Sequence, residues 1–217
     1  MFSVTDLADR PKREHHRTHF TRRLEAFSDI VFGLSLSQTA IQLQVPATAD
    51  ELTSHYLRYV VFFGTFALIA ALWVAHYRMF RLAFEPQLPD VLLNFVFLAF
   101  IALLPYAMLT MNKFPGNSVA TGLYAIAFGG TSLPMLLLSL RGLGRRDPTL
   151  TEPERLLLWR AVLRNSCVVA AAIATLGLLP FFPTYFAILP FPALGIAVGI
   201  IRRRVKTVPA RFRPALG

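Results

Sequence analysis

The feature that most constrains this chain is a series of apolar runs, each roughly the 18 or more residues that a bilayer core demands. Short basic blocks separate them. Such runs exclude an ordinary soluble domain, and composition agrees: 55% of the 217 residues are hydrophobic and 16% charged, against about 25% charged in soluble domains. The fold class expected is all-α, a polytopic membrane protein with six transmembrane helices. The spans lie at about residues 27–45, 56–80, 91 onward with Pro105 in the later part, 119–140, 161–179 and 184–201. Pro190 and Pro192 should bend the last one or split it into half-helices.

Charge orients the bundle. Lys and Arg number six in the N-terminal arm through Arg23, two between the second and third spans, six between the fourth and fifth, and six in the tail. Arg58 and Lys113 stand alone on the other side. Cytoplasmic loops carry such an excess, so both termini are expected in the cytoplasm. Both ends on one side require an even number of spans. Three segments follow: residues 1–22 as a cytoplasmic arm, 23–202 as the six-helix domain, and 203–217 as a basic cytoplasmic tail. The arm has no apolar h-region, so it does not read as a cleavable signal.

The formal net charge of +10 does not point to nucleic acid, because the basic residues follow the loop pattern. They suit anionic lipid headgroups instead. Cys167 is the single cysteine; it can form no intrachain disulfide and reads as a packing residue. His15 and His16 sit in the basic arm and read as solvated. The stretch "TEPE" predicts a helix start with Thr151 as N-cap and Glu154 at the third helical position. The fifth helix should then begin below the membrane, with Trp159 at the interface.

Several polar residues inside the spans need partners. Asp29 lies just inside the first span, where an unpaired carboxylate is costly. The topology brings His76 in "WVAHYRMF" and Asn94 in "VLLNFVF" to about the same depth, with Arg23 just below. A network of Arg23, Asp29, His76 and Asn94, with Ser28 and Trp73 as candidate members, satisfies them mutually. No nucleophile–base pair and no metal spacing accompany them, so an enzyme is not expected. The first helix carries two stripes at about 100° per residue. Ile30, Leu34, Ser37, Ile41 and Val45 share one face; Ser35, Gln38 and Gln42 share another. By physics alone the glutamines face a pore or a neighbouring helix, and the aliphatic face packs.

The residues "RLEAFSD", Arg23 to Asp29, resemble the R-x-x-x-F-S-D signature of the transmembrane protein 175 family of potassium channels. "WVAHYRMF" and "LNFVFLAFIALLP", residues 93–105, extend the likeness through the first half. The resemblance implies a six-helix subunit that assembles as a homotetramer around the first helix. It implies a potassium-preferring cation leak channel in a bacterial inner membrane, with potassium as permeant ion and no cofactor. It makes Leu34, Ser37 and Ile41 the pore constriction, Ile30, Gln38 and Val45 further lining candidates, and Arg23, Phe27, Ser28, Asp29, Trp73, His76 and Asn94 the structural network. The family usually has threonine where Ser37 stands and aliphatic residues in place of Gln38, Gln42 and Gln44. Two other functions compete. One is a proton- or solute-coupled transporter that uses Asp29 and His76; the other is a membrane enzyme or an assembly scaffold.

Overall fold

A computed structural model of the chain describes residues 19–41 and 56–209 together with positions 43, 48 and 212. Five long helices come first: α1 His19–Ile41, α2 Tyr56–Leu82, α3 Leu88–Lys113, α4 Ser118–Gly144 and α5 Glu152–Leu178. Two short ones follow, α6 Thr184–Ala187 and α7 Pro190–Arg204. The fold is all-helical. Among the described residues four helices are long and apolar enough to cross a membrane, within α2, α3, α4 and α5.

Local sequence explains the helix ends. Pro89 starts α3, where its missing N–H costs nothing. Asn117 caps α4 by accepting the Ala120 N–H at 3.0 Å. Thr151 opens α5, and Glu154 reaches back to the Thr151 N–H and hydroxyl, both at 2.8 Å. The fifth helix therefore begins well before the apolar run, as "TEPE" predicts. The sixth expected span is two pieces. Pro183 precedes α6 and Pro190 begins α7, and a proline ring cannot continue the preceding helical hydrogen bonds.

α4 is central, packed between α3 and α5, while α1 rests on α2 and α3 and α7 lies along α5. Phe97, Ile101, Leu104 and Leu138 form a fully buried core. Two close approaches require glycine. A Cβ at Gly129 would lie 2.6 Å from the Ala172 Cβ on α5, and one at Gly142 would lie 2.4 Å from the Ala83 Cβ. Small residues that let backbones approach replace the hydrophobic driving force that lipid does not supply. Cys167 is free and half-buried, packed with Phe128 and Phe191 against Val168, Ala171 and Leu194.

An ionic clamp that the sequence reading did not single out fastens one end of the bundle. Asp90 in the first turn of α3 is fully buried. Arg141 Nε donates to its Oδ1 at 2.7 Å and Arg145 Nη2 to its Oδ2 at 2.5 Å. Arg145 also reaches Glu85 at 3.3 Å and the Ala83 carbonyl at 2.5 Å, while the Glu85 N–H donates to Asp90 at 3.1 Å. Beneath it, Arg155 donates to the carbonyls of Asp147 and Phe212, and Arg160 donates to the Val205 carbonyl at 2.8 Å. Trp159 packs on Phe212 with ring centres 5.6 Å apart. These arginines hold loop and tail backbone.

Candidate functional site

The candidate site is α1 and what anchors it. Its covered face is Thr21, Leu24, Ser28, Phe32, Ser35 and Thr39. These positions are spaced three or four apart and so fall on one side of a helix. The small hydroxyls need no outside partner. Ser28 donates to the Leu24 carbonyl at 2.8 Å, Ser35 to Val31 at 2.8 Å and Thr39 to Leu36 at 2.7 Å, the backbone-satisfying habit of such residues in membrane helices. Ser35 therefore packs inside the subunit. It does not share an open face with Gln38, which is exposed, so the predicted polar stripe is divided. Gln42, Gln44 and Val45 lie outside the described residues, as do His15 and His16.

Ser28 leads into a buried hydrogen-bonded chain across three helices. The Asn94 side chain donates from Nδ2 to Ser28 Oγ at 3.4 Å, and its Oδ1 lies 2.8 Å from His76 Nε2. All three residues are buried. The imidazole stacks on Phe97 at 5.0 Å and 4°, with Phe32 and Phe80 centred 5.6 and 5.0 Å away. An apolar cage raises the cost of leaving any of these groups unpaired. Phe27 adds an edge-to-face contact with Phe95 on α3 at 5.9 Å.

Asp29 belongs to a second, outer contact. It accepts from Trp73 Nε1 at 2.8 Å, and Trp73 stacks on Tyr77 at 6.1 Å. Ser28 and Asp29 are successive residues, about 100° apart on a helix, and here their side chains take different partners. Arg23 is exposed and takes part in neither set of hydrogen bonds. It lies six residues before Asp29, about 120° round the helix. The single network read from sequence is thus an inner bridge, an outer bridge and an arginine apart from both.

Asn94→Ala is expected to cost about 2 kcal/mol of stability, because it leaves a buried imidazole N–H without an acceptor. Trp73→Phe is expected to cost less than half of that, since the exposed Asp29 can take water instead. Thermal melting of the two variants in detergent measures the difference; equal losses would mean that the two bridges act as one.

The opposite face of α1 is uncovered. Ile30 is 59% exposed, Leu34 61% and Ile41 75%, and Gly33, Ser37 and Gln38 lie open beside them. Ser37 donates to the Gly33 carbonyl at 2.9 Å, which leaves its oxygen lone pairs directed away from the helix. Among the described residues no three His, Cys, Asp or Glu side chains gather as a metal site.

Known proteins resemble this chain in sequence and in fold. Residues 23–105 match the family model described as "Endosomal/lysosomal potassium channel TMEM175". A curated relative from Chamaesiphon minutus, named a potassium channel, is 28% identical over 119 residues. That match covers 50% of this chain and 59% of the relative. The relative from Danio rerio, named the endosomal/lysosomal proton channel TMEM175, is 28% identical over 148 residues, covering 64% of this chain and 28% of its own length. A crystal structure of the potassium channel MtTMEM175, bound to a nanobody fusion, superposes with a TM-score of 0.67 over 90% of this chain and 96% of that one, at 15% identity. That likeness carries the fold. The family is one of ion channels, not of enzymes, and the matched segment contains both bridges and the uncovered face of α1. Through residues 23–105 the chain is similar to the TMEM175 family.

Proposed function

We propose that this protein is a potassium-preferring cation leak channel, a homotetramer in which four copies of α1 surround a central axis. In this reading residues 23–202 form the channel domain with six spans, both termini are cytoplasmic, and the membrane is a bacterial inner membrane. The arm of residues 1–22 and the basic tail of residues 203–217 both lie in the cytoplasm, where the tail meets anionic headgroups. Leu34, Ser37 and Ile41 narrow the path, and Ile30, Gln38 and Val45 extend its lining. Six spans require α1 and the α6–α7 pair to cross as well. The 23 described residues of α1 are about 34 Å long at 1.5 Å per residue, enough for a core of about 30 Å.

One observation carries this reading: the uncovered face of α1 mixes aliphatic side chains with Ser37 and Gln38. Lipid would accept Ile30, Leu34, Ile41 and a Ser37 bonded to its own backbone, but not the amide of Gln38. An axis formed by four copies accommodates both. Leucines and isoleucines restrict water at a narrow radius, and a ring of serine oxygens replaces part of a cation's hydration shell. The names of the Chamaesiphon minutus relative and of MtTMEM175 support potassium as the permeant ion. The transporter alternative needs Asp29 and His76 to exchange a proton. Asp29 bonds to Trp73 and His76 to Asn94, and no hydrogen bond joins the two.

The test is purified full-length protein in liposomes, with the subunit count measured by native mass spectrometry. Four subunits and a potassium flux that exceeds sodium flux, needs no proton gradient and persists in Asp29→Asn are expected. A monomer, or flux that requires a proton gradient and disappears in Asp29→Asn, would overturn the reading.

A further inference from the structure

Two arginines stand together without an acid at the end of the bundle where α2 closes and α5 enters. Arg78 is four residues before the end of α2, and Arg164 on α5 lies within electrostatic reach of it. The two helices touch, and both arginines are half-buried. Asp90 and Glu85 are engaged by Arg141 and Arg145, and no acid among the described residues pairs with Arg78 or Arg164. Like charges held close, partly out of water, repel each other more strongly than at an open surface.

The polar atoms around them are also one-sided. Arg78 Nε is buried with no hydrogen-bond partner, and so is Asn165 Nδ2. Asn165 is only 4% exposed. Its amide oxygen already faces Arg164 Nη2, at 3.5 Å. What remains is a set of donors and positive charge with no acceptor of its own. Buried donors are rarely left this way unless something else supplies the acceptor.

We propose that Arg78, Arg164 and Asn165 form a binding site for a phosphate oxyanion between α2 and α5. A phosphate offers several acceptor oxygens to donors on separate residues and matches the forked guanidinium. Its charge would cancel the repulsion of the pair. Two sources carry this group: the headgroup of an anionic phospholipid in the adjoining leaflet, where basic pockets between helices take such heads, or a soluble phosphate. The inference is independent of what the protein conducts.

The experiment uses the full chain, delipidated in a neutral detergent. Its melting temperature is followed with phosphatidylglycerol, with diacylglycerol that has no phosphate, and with inorganic phosphate. Retained lipid is counted by native mass spectrometry. Phosphatidylglycerol or inorganic phosphate should raise the melting temperature by several degrees, and diacylglycerol should not. A shift with phosphatidylglycerol alone identifies the lipid as source; a shift with millimolar inorganic phosphate identifies a soluble one. Arg78→Gln and Arg164→Gln should lose most of the shift. Arg164→Lys should keep part of it, and Arg203→Gln, on the exposed side of α7, all of it. Equal shifts in wild type and both glutamine variants, or no difference between the phosphate compounds and diacylglycerol, would overturn the proposal.

Discussion

Asp90→Ala should lower stability by about 3 kcal/mol, the usual cost of removing one partner from a buried ion pair. For a chain of this size that is a fall in melting temperature on the order of 10 °C. The reason lies in the geometry of the clamp. Asp90 is fully buried and its two oxygens hold Arg141 and Arg145. Removing the carboxylate leaves two cations side by side at the end of α4, with no acid of α3 between them. It also frees the Glu85 N–H and unfixes the loop that Arg145 holds through Ala83. The arginines are not equivalent to the acid. The Arg141 side chain is 39% exposed, so Arg141→Ala leaves Asp90 with Arg145 still in place and should cost under half as much. Arg145→Ala should fall between the two. Melting curves in detergent at low and high salt read the order. If Arg141→Ala is as damaging as Asp90→Ala, the clamp is not organised around the buried acid.

That clamp shows what pattern reading can miss. Asp90 sits in a helix-start position after Pro89, where an acid is ordinarily explained by the helix dipole alone. Arg141 and Arg145 fall in a loop whose basic excess is explained by topology. Each residue has a sufficient local reason, so nothing in the local pattern demands that they meet. The signal was present at one remove. If α3 starts and α4 ends at the same side of the membrane, an acid and two arginines share a depth, and the argument that gathered His76 and Asn94 applies to them equally. The capping box at Thr151 was legible for the opposite reason: both of its halves lie within four residues, and the chemistry is local.

For α1 the sequence conveyed the neighbours of Ser28 and Asp29 better than their grouping. Depth follows from residue count, so Ser28, His76 and Asn94 could be brought to one level without coordinates. Azimuth depends on how each helix is rotated, and consecutive residues diverge by about 100°. That divergence separates Asp29 from Ser28 and leaves Arg23 apart. Ser35 and Gln38 were grouped by angle, but Ser35 satisfies its own hydroxyl on Val31 and can be buried. A glutamine has a longer side chain and more hydrogen-bonding groups to satisfy. The break between α6 and α7 was foreseeable in kind from Pro190, while its position at residues 188 and 189 depends on packing that one sequence does not display.

Leu34→Ala is expected to raise cation flux several-fold, the largest functional change that a single substitution should produce in this protein. Leu34 stands 61% exposed on the uncovered face of α1, one turn from Ser37. If four copies surround an axis, each leucine adds apolar bulk at the narrowest level, and ions must shed water there without an oxygen to replace it. Alanine removes most of that bulk from all four subunits together and leaves the Ser37 oxygens in place. Leu34→Asn separates this reading from its plainest rival, a lipid-facing α1. On a wet axis an amide is hydrated, so the protein should assemble normally and conduct more. Facing hydrocarbon, the same amide would be costly, and the variant should lose yield with no gain in flux. Ser37→Ala gives the complementary test: with the hydroxyl ring gone and the constriction still apolar, potassium flux should fall, and its excess over sodium should shrink. Liposome flux with matched protein content measures all three variants. Unchanged flux in Leu34→Ala together with poor recovery of Leu34→Asn would put this face of α1 against lipid and remove it from the ion path.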